Sequence, residues 1–142
     1  MSQEVAITST AFNVLDLARK DAQMYRNPYI TPEHVLFQME SSGLLEEKLL
    51  SKGKSPSFFR ERLGLFLSSL STVDLTREYS VKYSTSLRNM LQDAISFALQ
   101  DKKPVGIGHL LFSMAGVSDS LAGYLVQNNI DVIRDVVVPS GY

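Results

Sequence analysis

Apolar residues recur at helical spacing along most of this chain. Ala11, Val14, Leu15, Ala18, Ala22 and Tyr25 stand three, four and seven apart, which puts them on one stripe of a helix. Asn27-Pro28 ends it, because proline disfavours the helical region at the residue before it. Thr31-Pro32-Glu33-His34 then reads as a start signal: a threonine cap, a proline at the first helical position and an acid in the first turn. A short helix through Val35, Leu36 and Met39 follows, broken by Ser41-Ser42-Gly43. Leu44, Leu45, Leu49 and Leu50 predict a third helix closed by Gly53. Ser55-Pro56 opens a fourth through Phe59, Leu63, Phe66, Leu67 and Leu70. After a stretch of weak periodicity, Ser84 caps a helix carrying Leu87, Leu91, Ala94 and Ala98, ended by Lys103-Pro104. Ile107 to Met114 forms a short helix. Ser118-Asp119 caps another through Leu121, Leu125 and Val126, and Asp131 opens a last one through Val136.

The two halves repeat. Leu15, Ala18 and Ala22 lie 76 residues before Leu91, Ala94 and Ala98, and Leu45 and Leu49 lie 76 before Leu121 and Leu125. His34, Leu36 and Met39 lie 75 before His109, Leu111 and Met114. The register slips only in loops, where length changes are tolerated. The expected architecture is therefore all-α: one domain over 1–142 holding a pseudo-twofold tandem repeat of two four-helix motifs, about eight helices in all. Repeat one spans 8–70, an inter-repeat linker spans 71–83, and repeat two spans 84–138.

Composition narrows the function. The 142 residues carry 14 basic and 15 acidic side chains, a net charge of −1, so the overall charge gives no electrostatic grip on nucleic acid or an anionic membrane. With no cysteine, thiolate zinc sites and disulfides are out. The N-terminal residues are not basic and precede no long apolar run, and no segment approaches the ~20 apolar residues of a spanning helix, so a cytoplasmic protein is expected. No Gly-x-x-x-x-Gly-Lys-Ser/Thr loop occurs, and no nucleophile elbow or paired-carboxylate signature stands out. His34 and His109 are the two histidines. Their place three residues into a helix points to a structural role, a bond to a neighbouring loop, rather than to a metal.

The helix with small alanines, followed by Ile30-Thr31-Pro32-Glu33-His34-Val35-Leu36 and, in the second copy, Val105-Gly106-Ile107-Gly108-His109-Leu110-Leu111, resembles the N-terminal domain of the Clp AAA+ unfoldases. The resemblance spans roughly 8–138. It implies a pseudo-twofold helical bundle, tethered above a hexameric ATP-driven ring, that binds protein substrates or an adaptor protein and delivers them for unfolding, degradation or disaggregation. The segment itself would then be no enzyme and hold no cofactor or metal. ATP would belong to the AAA+ ring in cis, and a peptidase could be reached through that ring. The secretion-sheath-recycling member, which grips a sheath-protein helix, and a stand-alone adaptor are the alternatives.

The resemblance also bears on single residues. In the branch that recognises phosphoarginine, the glutamate of this motif contacts the guanidinium, which marks Glu33 and its neighbour Thr31 as candidate binding residues. The bland alternative is that Glu33 only complements its helix dipole. The second copy carries Gly108 where the second glutamate would stand. Phe12, Tyr29, Phe58, Tyr79, Val81 and Tyr83 fall off the helical stripes. A groove between the repeats, walled by Glu78 to Ser84 and using Glu78, Val81 and Tyr83, is expected to take the partner.

Overall fold

Thr8 and Ser84, 76 residues apart, do the same job. Each has extended backbone, and each side-chain oxygen accepts the amide three residues on, from Ala11 and from Leu87, both at 3.1 Å. They start α1 (Ser9–Met24) and α5 (Thr85–Asp101), the long helix of each repeat. The computed structural model describes residues 6–55, 57–117 and 119–130. Among these, seven helices are joined by two short parallel bridges. In chain order, β1 (Tyr29–Ile30), α2 (Pro32–Ser41), α3 (Glu46–Ser51) and α4 (Phe58–Ser68) follow α1. After α4 come β2 (Lys82–Tyr83), α5, α6 (Ile107–Ala115) and α7 (Leu121–Asn129).

The repeats interlock through the segments that precede their long helices. β2, just before α5, pairs in parallel with β1, between α1 and α2: Tyr29 faces Lys82 and Ile30 faces Tyr83. Ile7, just before α1, pairs the same way with Val105, between α5 and α6. The amides of Thr8 and Val105 donate to Val105 and Ala6 carbonyls, both at 2.9 Å, while those of Lys82 and Ser84 donate to Pro28 and Ile30 at 3.2 and 2.9 Å. Each repeat thus lends an arm to the other, which is the pseudo-twofold in hydrogen bonds. Periodicity could not reveal these bridges, because a two-residue strand is too short to show alternation.

One continuous core joins the repeats. The alanines of the long helices, Ala11, Ala18 and Ala22 with Ala94 and Ala98, are fully or almost fully buried, so the shorter helices approach their backbones closely. Leu36 and Met39 of α2, Leu111 and Met114 of α6, and Leu125 and Val126 of α7 fill the space between.

Several helix starts differ from expectation. α3 begins at Glu46, with Leu45 at its N-cap position and no side-chain cap. α4 begins at Phe58 rather than after Ser55, because its first turn is capped from elsewhere: Glu40 of α2 accepts the Phe59 amide at 2.5 Å. α7 is capped by Ser120, not Ser118-Asp119. A turn tying the Ser120 amide to the Val117 carbonyl at 3.1 Å delays the helix, and Ser120 Oγ accepts the Gly123 amide at 2.9 Å. The expected helix opened by Asp131 lies outside the described residues.

The expected linker is tied down. Arg26, in the left-handed region at φ 55°, turns the chain at the end of α1 and aims its guanidinium back at the linker. That group donates to the carbonyls of Val73 (3.0 Å), Asp74 (2.8 Å) and Arg77, and lies 4.9 Å from the Tyr79 ring centre. Asn27 Nδ2 adds a bond to the Ser71 carbonyl at 3.2 Å. The linker's last residues, 82 and 83, are β2 itself.

Candidate binding groove

The β1–β2 bridge floors an open groove of about 700 Å³ between α1 and α5. Tyr29 (52% exposed) and Tyr83 (46%) stand at its walls with the part-buried Val81, while Ile30 below is buried. Two of the expected residues, Val81 and Tyr83, are therefore brought together, and the off-stripe Tyr29 joins them from the other repeat. Glu78 is not part of this groove. It lines a separate shallow depression with Arg26 and Tyr79, because the Arg26 clamp folds that part of the linker back on α1. Phe12 lies on α1 and is 55% exposed, and Phe58 packs partly against the core under Arg62.

Thr31 and Glu33 have structural partners. Thr31 caps α2: its hydroxyl accepts the His34 amide at 3.3 Å, and its own amide donates to His34 Nδ1 at 3.0 Å. Glu33 is 3% exposed, and its Oε2 accepts the Ala122 amide at 2.8 Å. The carboxylate thus stands in the first turn of α2 and also lies at the positive end of α7, in the other repeat, a structural partner that the sequence did not show. Gly108, its counterpart in α6, has no carboxylate to offer. Correspondingly α3, the counterpart of α7, begins without a side-chain cap and carries Glu46 and Glu47 in its own first turn.

Both ring nitrogens of each histidine are engaged. His34 Nδ1 accepts from Thr31, and Nε2 lies 3.1 Å from Asn27 Oδ1, so the neutral ring with its proton on Nε2 satisfies both bonds. His109 repeats this with Gly106, whose amide lies 3.1 Å from Nδ1, and with Asp101 at 2.8 Å from Nε2. A His–Asp pair suggests a catalytic dyad. The Gly106 amide, however, occupies the lone pair that a general base would need.

Burial pushes the His34 pKa down from 6.5 to about 4. The unfolded chain takes up its proton near the ordinary value and the folded chain only near 4. Stability is therefore complete above that ordinary value and falls as pH drops through the window between the two. Asp21 and Glu40, whose pKa values burial raises, act in the opposite sense within the carboxylate range. Urea unfolding should give a stability ~2 kcal/mol lower at about pH 5 than at about pH 7.5, with the difference largely absent in His34→Gln. Equal stability at the two pH values would show that His34 titrates freely.

The paired His motifs, the interlocking arms and the family comparison agree. The family model for the Clp repeat (R) N-terminal domain matches residues 6–129. The chain belongs to this Clp family. No match among curated protein sequences accompanies it. Solved structures share the fold at low identity. The Hsp104 N-terminal domain from Candida albicans is 17% identical with a TM-score of 0.75, over 91% of this chain and 90% of that one. A ClpV N-domain in complex with a VipB peptide is 17% identical with a TM-score of 0.71, over 93% and 86%. The N-terminal domain of the chaperone ClpD from Arabidopsis thaliana is 16% identical with a TM-score of 0.64, over 89% and 87%. This Clp N-domain is a binding module, and no helix among its described residues is long and apolar enough to cross a membrane.

Proposed function

We propose that this Clp N-domain docks client proteins or an adaptor in the Tyr29–Val81–Tyr83 groove and hands them to an AAA+ ring joined in cis, in the cytoplasm, for unfolding, degradation or disaggregation. ATP is that ring's cofactor, and a peptidase is reached through it. The observation that carries this reading is the groove itself: two half-exposed tyrosines and a valine around an open cleft of about 700 Å³, built where the repeats cross. Exposed aromatic residues held by rigid backbone bonds make good anchors for a peptide, because they bury much area and lose little rotamer freedom. A structural neighbour with this fold, a ClpV N-domain, has been seen with a peptide bound.

The test is an NMR titration of the labelled domain with a neutral, unstructured peptide carrying leucine and phenylalanine anchors. Amides at 29–30 and 81–85 should shift. The double variant Val81→Ala/Tyr83→Ala should weaken binding by about tenfold while the domain still unfolds cooperatively, at a somewhat lower temperature because Val81 packs partly on the core. Unaltered affinity, or shifts confined to other faces, would remove the groove from client binding.

A further inference from the structure

The groove is basic although the protein is not. Arg19 from α1, Lys82 from β2 and Arg88 from α5 line it beside Tyr29, Val81 and Tyr83, and no carboxylate does among the described residues. Arg19 shares its charge with Asp16 at 2.9 Å. Lys82 and Arg88 are exposed and have no ion-pair partner among the described residues. With a net charge of −1 for the whole chain, this is a local concentration of positive charge and not a reflection of composition.

The pseudo-twofold supplies an internal control. At the other bridge, between Ile7 and Val105, the residues 76 positions away from Arg19, Lys82 and Arg88 are Ile95, Ala6 and Phe12. The fold makes the same crossover there with none of these three cations. The basic side chains are therefore not required by the scaffold: none caps a helix, and none fills the core. One crossover presents charge and tyrosine hydroxyls, and its mate presents apolar carbon at the matching positions, with Phe12 half exposed.

We propose that the groove selects acidic client or adaptor segments: a stretch of Asp and Glu around an apolar anchor, the anchor between Tyr29, Val81 and Tyr83 and the carboxylates on Lys82, Arg88 and Arg19. This deepens the docking function proposed above and rests on it. Charges at the rim of an interface mainly set specificity and encounter rate, and salt weakens them.

Three peptides with identical leucine and phenylalanine anchors separate the possibilities: neutral, glutamate-bearing and lysine-bearing. Fluorescence anisotropy should rank them acidic, neutral, basic, with about tenfold between the extremes at low salt and a gap that narrows severalfold at about 0.3 M salt. Lys82→Glu/Arg88→Glu, two exposed positions whose change should leave folding intact, should invert the order. If the neutral peptide binds but the acidic one binds no tighter, or if the charge reversal leaves the order unchanged, the selectivity is wrong while docking stands. If no peptide binds at all, both fall together.

Discussion

Gly123→Ala should destabilise the protein by at least ~3 kcal/mol, enough to remove much of the stability of a domain this size. A Cβ placed on Gly123 would sit 2.0 Å from the Val117 carbonyl oxygen, 2.8 Å from its carbon and 3.0 Å from the Met114 carbonyl oxygen. All three atoms are backbone, so no rotamer change relieves the overlap. The site cannot easily retreat either, since the Gly123 amide is fixed by Ser120 Oγ and its neighbour Ala122 by Glu33. Glycine is needed here for the close approach of α7 to the end of α6, not for an unusual backbone angle. Gly64, in the middle of α4, is the matched control, because a Cβ added there would meet nothing within 4 Å. Alanine at that position should stabilise by ~0.5–1 kcal/mol, because glycine loses more backbone freedom in a helix. Urea denaturation of both variants checks the pair. A Gly123→Ala protein within ~1 kcal/mol of the parent would mean that the helices meet differently.

The second large effect is at Glu33. Removing its carboxylate in Glu33→Ala leaves the Ala122 amide buried without that acceptor and takes a negative charge from the start of α7. A loss of ~2–4 kcal/mol follows from an unsatisfied buried donor, a lost charge-assisted bond and the cavity left behind. Glu33→Gln keeps an acceptor oxygen and should lose less. A carboxylate kept for an external guanidinium behaves otherwise, since residues held for ligands are usually neutral or even unfavourable for stability. Equilibrium unfolding, with hydrogen exchange at Ala122 as the local readout, distinguishes the two roles. Wild-type stability in Glu33→Ala, with exchange in α7 no faster than in the parent, would make Glu33 a ligand contact after all. Calorimetry with free phosphoarginine would then be decisive.

The residues at these positions show where the two repeats part company. Glu33 has no counterpart in α6, Gly123 falls where α3 has Glu47, and the cations of one crossover correspond to apolar residues at the other. The fold is duplicated, but its helix caps and its two crossovers are chemically distinct. A binding module with two unlike faces can hold a client on one and leave the other free for a different contact.

Much of this was legible along the chain because it is local. Caps such as Thr8 and Ser84 act over three residues, stripes such as Leu87–Ala94–Ala98 act within one helix, and the 75–76-residue repeat needs only self-comparison. From these the helical class, the duplication and the family followed, and Val81, Tyr83 and Tyr29 drew notice by falling outside the stripes. What tertiary structure decided is non-local. The partner of Glu33 lies 89 residues away, the cap of α4 comes from Glu40 in another helix, and Glu78 is drawn off the groove by Arg26. The cations at 19, 82 and 88 are scattered through a nearly neutral sequence and become one basic surface only when two arms cross. Propensity and periodicity are set by neighbours within a turn or two, whereas a carboxylate's role depends on which amide or arginine the packed chain brings to it.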